Sequence, residues 1–262
     1  MVCAAPAVAQ PAAPMSLRDL AKESENPVTR LYTIPIRYEA GFDYGSTDAT
    51  KSTLELDQAV VPFRLSDDWS LIARTKFPYI WEPPKKTGQG WQNGLGNAYT
   101  TLFLSPEYGR EFFWGIGPVV YFPTATGSNL GVNKWGSGPS VAFVWKDGGP
   151  WLVAGVVNNI WSFGGPPQGS TDKTNSLLVN PIVGYHFGKG WFVHSSPNIT
   201  SNWDDAPGKR WTVPVGGGIG KVVRIGSQPI KLALDCYDNV VHPQSTGPVW
   251  SAMLTVTLLF TR

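Results

Sequence analysis

The sequence predicts an all-β fold: a closed antiparallel transmembrane β-barrel of about 12 strands, preceded by a short N-terminal helix. Three observations predict it. From Leu31 onward, apolar and polar residues alternate with the period of a strand, not of a helix. The connections alternate between short Gly/Asp/Ser turns and mostly longer polar loops. Tryptophans bracket four of the segments at even separations.

Composition narrows the class further. Charged residues make up 15% of 262 residues, against roughly 25% in an ordinary soluble domain. The 29 glycines and 23 prolines follow no repeat. Aromatics at 13% are too many for a disordered chain. No run reaches the roughly 18 apolar residues of a spanning helix, and the mean hydropathy is −0.11. A net charge of +2, with basic residues scattered, leaves no footprint for a nucleic-acid partner. Cys3 and Cys236 form no framework of disulfides, and no Cys/His cluster suggests a metal, so neither metal nor cofactor is expected.

The elements follow in order. Residues 1–15 (MVCAAPAVAQPAAPM) carry an A-x-A form at Ala7-Val8-Ala9 and read as a residual signal peptide, with a flexible Ala/Pro arm as the alternative. Residues 16–30 form a short periplasmic helix and linker. Ser16 to Asp19 is a capping pattern, Leu17–Glu25 is helix-like, and Asn26-Pro27 stops it. This segment is expected to be a periplasmic tail, with a plug in the barrel mouth as the second reading. Residues 31–262 form the barrel. Its strands are expected at 31–45, 53–65, 69–81, 95–105, 110–123, 134–146, 150–163, 174–187, 190–203, 209–225, 228–241 and 248–261. Pro118 and Pro181 fall inside strands of a sheet that has no edge to hide a missing N–H.

The bracketing pairs are Trp69 and Trp81, Trp135 and Trp145, Trp151 and Trp161, and Trp191 and Trp203, at separations of 12, 10, 10 and 12 residues. Even spacing puts each pair on one face. With strands tilted near 40°, such spans cover roughly 25–30 Å along a barrel axis, the height of the apolar band between two membrane interfaces. Indole suits those interfaces, being an apolar ring with an N–H that stays wet. Between the brackets the same face is mostly apolar or small, and the opposite face carries polar and charged groups. A soluble sandwich would bury the apolar face; here it faces lipid, and a wet lumen lies inside.

The inward groups are candidates for lining and selecting in a pore: Arg37, Glu39 and Asp43 on the first strand, Glu55 and Asp57 on the second, and Arg74 and Lys76 on the third. Asn158, His194 and Asn198 follow, and Lys231 and Asp235 are placed to join across the closing seam. Antiparallel pairing is expected to set Glu39 near Asp57, and Asp57 near Lys76 and Arg74. The inner faces of strands four to seven and ten read as small or apolar. A charged wall would then face a small-residue wall and form a constriction.

Several segments resemble the bacterial outer-membrane transporter family related to the MetA-pathway of phenol degradation proteins. They are DLAKESENPV (19–28), LSDDWSLIART (65–75), GLGNAYTTLFLSP (94–106), GIGPVVYFPTAT (115–126), KWGSGPSV (134–141), VNNIWSFGG (157–165), SPNITSNW (196–203) and RWTVPVGGGIGKV (210–222). The resemblance implies a secreted barrel of the bacterial cell outer membrane, passing small solutes that include aromatic or other hydrophobic compounds. The function expected from residues and resemblance together is a passive, porin-like channel, monomeric, with outer-membrane lipids and small solutes as partners. Two alternatives stand beside it. One is a barrel lipid hydrolase using His186, His194 or His242 with Ser195, Ser196 or Asn198. The other is a structural or receptor barrel with a filled lumen. Against the hydrolase, His194 and Ser195 face opposite sides of a strand, and no GxSxG or HExxH motif is present.

Overall fold

The structure is a computed structural model, and it describes residues 15–44, 48–84, 90–109, 111–164, 173–243 and 247–261. Of the leader expected at 1–15, all but Met15 lies outside the described residues, as do Lys85 and Lys86.

One helix, α1 (Leu17–Glu23), precedes fourteen strand segments. These are β1 (Tyr32–Tyr44), β2 (Ala49–Arg64), β3 (Trp69–Glu82), β4 (Gln92–Leu95), β5 (Tyr99–Pro106), β6 (Phe112–Tyr121), β7 (Trp135–Lys146), β8 (Trp151–Gly164), β9 (Asn175–His186), β10 (Trp191–Ser195), β11 (Ile199–Asn202), β12 (Trp211–Ile225), β13 (Gln228–Val241) and β14 (Trp250–Phe260). All pairings are antiparallel neighbours, and β1 pairs with β14 from Tyr32↔Phe260 to Phe42↔Trp250, which closes the sheet. β4 and β5 share one place in the ring, and so do β10 and β11. The result is a 12-position barrel. No helix among the described residues is long and apolar enough to cross a membrane; the crossing belongs to the strands.

The prolines explain the two split positions. β3 pairs with β5 as far as Lys76↔Tyr99 and resumes on β4 at Tyr79↔Leu95, so Pro78 lies in the gap. β10 leaves β9 at Ser195↔Val183, and β11 rejoins at Ile199↔Val179; Pro181 and Pro197 share that gap. Pro118 and Pro139 oppose each other across β6 and β7. The ladder on the far side of each is interrupted there, resuming only at Leu104↔Ile116 and Ser140↔Asn158. A ring that lacks N–H groups omits the bonds they would have donated, and the barrel still closes.

The outer face is apolar. Ile34, Ile36 and Tyr38 on β1, Val141 and Phe143 on β7, and Leu232 and Leu234 on β13 are all exposed. Trp145, Trp151 and Trp191 stand exposed at the end that carries the short turns, and Trp135, Trp161 and Trp203 at the end that carries the long loops. Trp69 and Trp81 are half-buried against aromatic neighbours, Trp114 at 6.1 Å and Tyr79 at 4.8 Å between centroids. Lys221 Nζ sits 4.7 Å above the Trp191 ring, at the turn end of that belt. Apolar groups between two aromatic girdles fit the hydrocarbon core of a bilayer.

The N-terminal segment corrects the expectation of a tail. Ser16 caps α1, accepting from the Asp19 N–H at 3.1 Å. The helix is docked inside the turn end of the barrel: Leu20 and Ala21 are fully buried among Phe192, Val222, Ala233 and Leu259. Lys22 Nζ donates to the Asp147 and Gly149 carbonyls at 2.7 and 2.8 Å, and Glu23 pairs with Lys146. Beyond the Asn26-Pro27 stop, Val28 enters an apolar cluster inside the barrel with Val60, Ile72, Phe103, Val144, Leu152 and Ile182. Burying Leu20 and Val28 stabilises the docked state by roughly 1.5–3 kcal/mol each. The wall expected to be small-residue is thus bulkier near the turn end, because Phe103, Val144 and Leu152 are needed to close around Val28.

Candidate functional site

Among the described residues, two cavities open into the lumen. The larger, about 540 Å³, lies toward the loop end and includes Glu39, Tyr99 and Tyr121 in its lining. The smaller, about 110 Å³, lies toward the turn end and reaches Glu25 of the N-terminal segment. A band of ion pairs separates them.

The register of β1 to β3 builds that band. Arg37 is opposite Glu55, and Glu55 is opposite Pro78. Arg37 reaches Asp57 Oδ2 at 2.7 Å and Glu55 Oε1 at 4.0 Å. Lys76 reaches Glu55 Oε2 at 2.8 Å and Asp57 Oδ1 at 3.8 Å. Two cations against two buried carboxylates balance locally, which permits charges in so confined a place. A bulge at Gln58 (φ 58°) follows, after which Val60 faces inward.

Glu39 does not meet Asp57 as expected. Its partner on β2 is Thr53, so Asp57 belongs to Arg37. Asp43 also departs from the expected inward face. It takes a left-handed φ of 52° and is exposed, while Tyr44 turns inward and its O–H donates to Glu82 Oε1 at 3.0 Å. The bulge reverses the parity of the strand's last two residues.

The second cluster gathers on Glu25, which sequence reasoning did not single out. Its Oε1 lies 2.5 Å from His194 Nδ1 and 3.3 Å from Lys231 Nζ, and its Oε2 lies 3.0 Å from His186 Nε2. His194 Nε2 in turn faces Asp235 Oδ1 at 2.7 Å. Burial acts to raise the Glu25 carboxyl, but Lys231, His194 and His186 hold it well below the usual carboxylate range. Gly218 makes room for this cluster, since a Cβ there would stand 2.2 Å from Asp235 Oδ1. Of the expected residues, Lys231, Asp235 and His194 meet here, joined through Glu25, and Asn198 lines the same cavity. Asn158 is buried on β8, apart from both clusters.

Arg74 stands apart. It lines the smaller cavity, and its Nε is sealed from solvent with no hydrogen-bond partner. The expected approach to Asp57 closes for Lys76 but not for Arg74.

Both His194 ring nitrogens face carboxylate oxygens, and Ser196 Oγ accepts from Asn180 Nδ2 at 3.0 Å. Neither nitrogen is open to serve as a base for Ser196.

No protein-family model matches the chain. No curated protein sequence matches it either. Solved structures do. An outer membrane channel from Pseudomonas putida F1 superposes with a TM-score of 0.65 at 18% identity, over 88% of this chain and 95% of that one. The NanC porin superposes at 0.53 and 12% identity, over 88% of this chain and 100% of that one. The chain therefore has the fold of bacterial outer-membrane β-barrels.

Proposed function

We propose that the protein is a passive outer-membrane channel for small solutes, with the N-terminal segment acting as a plug at its periplasmic mouth. One observation carries the reading: a barrel apolar outside encloses two polar cavities, separated by the Arg37–Asp57–Lys76–Glu55 band. Ordered ion pairs between the two cavities would select solutes by charge and size. Tyr99 and Tyr121, stacked 5.7 Å apart on the wall of the larger cavity, offer aromatic surface before the charged band. That supports solutes with a flat apolar part, in line with the resemblance noted above. Lumen-lining roles for Glu39, Arg74, His194, Asn198, Lys231 and Asp235 belong to this proposal, and so does the monomeric state.

The test is conductance in planar bilayers with the full chain and with a chain lacking residues 16–28. The full chain should pass small, selective currents, and the deletion should raise conductance several-fold. Absence of current from both would overturn the channel. A receptor or structural barrel is the second reading, favoured by the close packing of Phe103 and Leu152 around Val28; proteoliposomes that fail to swell in isotonic small solutes would support it.

A further inference from the structure

We infer that Arg74 is the recognition site for the carboxylate of a small organic acid, which makes organic anions the class of solute this lumen accepts. The inference rests on the channel reading and names its substrate.

A guanidinium presents five N–H donors and no acceptor, in a planar fork that matches a carboxylate. In the lumen, cations are otherwise committed. Arg37 belongs to Asp57 and Glu55, Lys76 to Glu55 and Asp57, and Lys231 to Glu25. The carboxylates facing the same cavity are committed too: Asp57 to Arg37 and Lys76, Glu25 to His186, His194 and Lys231, and Asp235 to His194. Arg74 alone in this group makes no hydrogen bond or ion pair among the described residues, and its Nε is sealed from solvent. A buried donor without a partner costs roughly 1–3 kcal/mol, more when charged. The guanidinium also lines the cavity with no ion pair of its own, so a ligand carboxylate meeting its terminal nitrogens gains a charge-assisted pair.

The surroundings set the size and shape of the ligand. Arg74 lies between Val60 on β2 and Thr101 on β5 in the register, and Val60, Pro35 and Ile182 add apolar surface to the cavity. Its volume of about 110 Å³ is below the roughly 150 Å³ of an engineered cavity that takes up benzene. This cavity fits a carboxylate with a short aliphatic body better than a ring; the stacked Tyr99 and Tyr121 belong to the larger cavity and are not part of the site. An anion seated on Arg74 would be held without breaking the pairs of the Arg37–Asp57–Lys76–Glu55 band.

The test is calorimetric titration of the full chain in detergent with sodium butyrate, and with butyramide, which has the same shape without the charge. Butyrate should bind and butyramide should not. Arg74→Gln should weaken butyrate at least tenfold, and Arg74→Lys should restore part of the loss. Equal binding of acid and amide, or butyrate binding unchanged in Arg74→Gln, overturns the inference. Because this readout needs no current, the two readings fail separately. A chain that binds butyrate through Arg74 but never conducts supports the site and ends the channel reading. A chain that conducts but does not distinguish the acid from the amide ends the inference alone.

Discussion

Glu25 concentrates the chemistry of the lumen in one carboxylate. It touches two imidazoles and an ammonium, contributed by β9, β10 and β13. A carboxyl held below its free-chain value of roughly 4.3 contributes to docking at any pH above that value, and the contribution fades as pH falls through the docked value. The cluster should therefore hold from about pH 7 down past about pH 5, with conductance flat across that window and rising only in stronger acid. A rise centred near pH 6 would contradict control of the plug by the Glu25 carboxylate. Glu25→Gln should raise conductance at neutral pH, because a buried pair that loses one charge costs about 3–5 kcal/mol. Gly218→Ala should also raise conductance, because its Cβ would meet both the Asp235 carboxylate and the Leu234 carbonyl and disturb the β12–β13 ladder together with the cluster. The inward parity of Arg37, Glu55, Asp57, Lys76, His194, Lys231 and Asp235 was legible from alternation alone. Glu25 was not, because it sits in a segment with no strand period, two residues past the end of α1. Asp43 was misplaced because a single left-handed residue inverts the alternation, and sequence carries little trace of it at an aspartate.

Among the elements, the strands were legible nearly throughout, and their interruptions were not. Twelve alternating runs correspond to the twelve places in the ring. Alternation cannot show where a ladder loses its hydrogen bonds, so the fourth and ninth runs were expected to be continuous. Pro181, which argued against an unbroken register, marks the gap between β10 and β11; Pro78, which was not among the prolines that argued so, marks the gap between β4 and β5. The N-terminal segment shows the opposite case: capping chemistry identified α1, but docking depends on a cavity that only the closed barrel creates. Val28→Asp should undock it, since a bare carboxylate among Val60, Ile72 and Phe103 has no partner. Limited proteolysis should then cut between α1 and β1 in the variant and leave the parent chain intact. Equal resistance of the two chains would show that Val28 does not anchor the segment.

At the scale of the whole molecule, the even Trp spacing gave the height of the lipid-facing band, and the structure sets indoles at both ends of it. In bilayers of lipids brominated along their acyl chains, tryptophan emission should be quenched most by bromines close to the headgroups and least by those at the midplane. Uniform quenching at all depths would contradict two interfacial girdles. The selection of solutes was less legible at this scale, because it depends on which charges cancel. That is a property of distances across the bore, not of position along a strand.

The Glu25 cluster also bears on biogenesis. Glu25 emerges early in synthesis, whereas Lys231 lies 206 residues later, on β13 next to the closing strand. The contact between them can form only once the last hairpin has joined the ring. The complete Glu25 cluster therefore ties the start of the chain to its last hairpin across the closed ring.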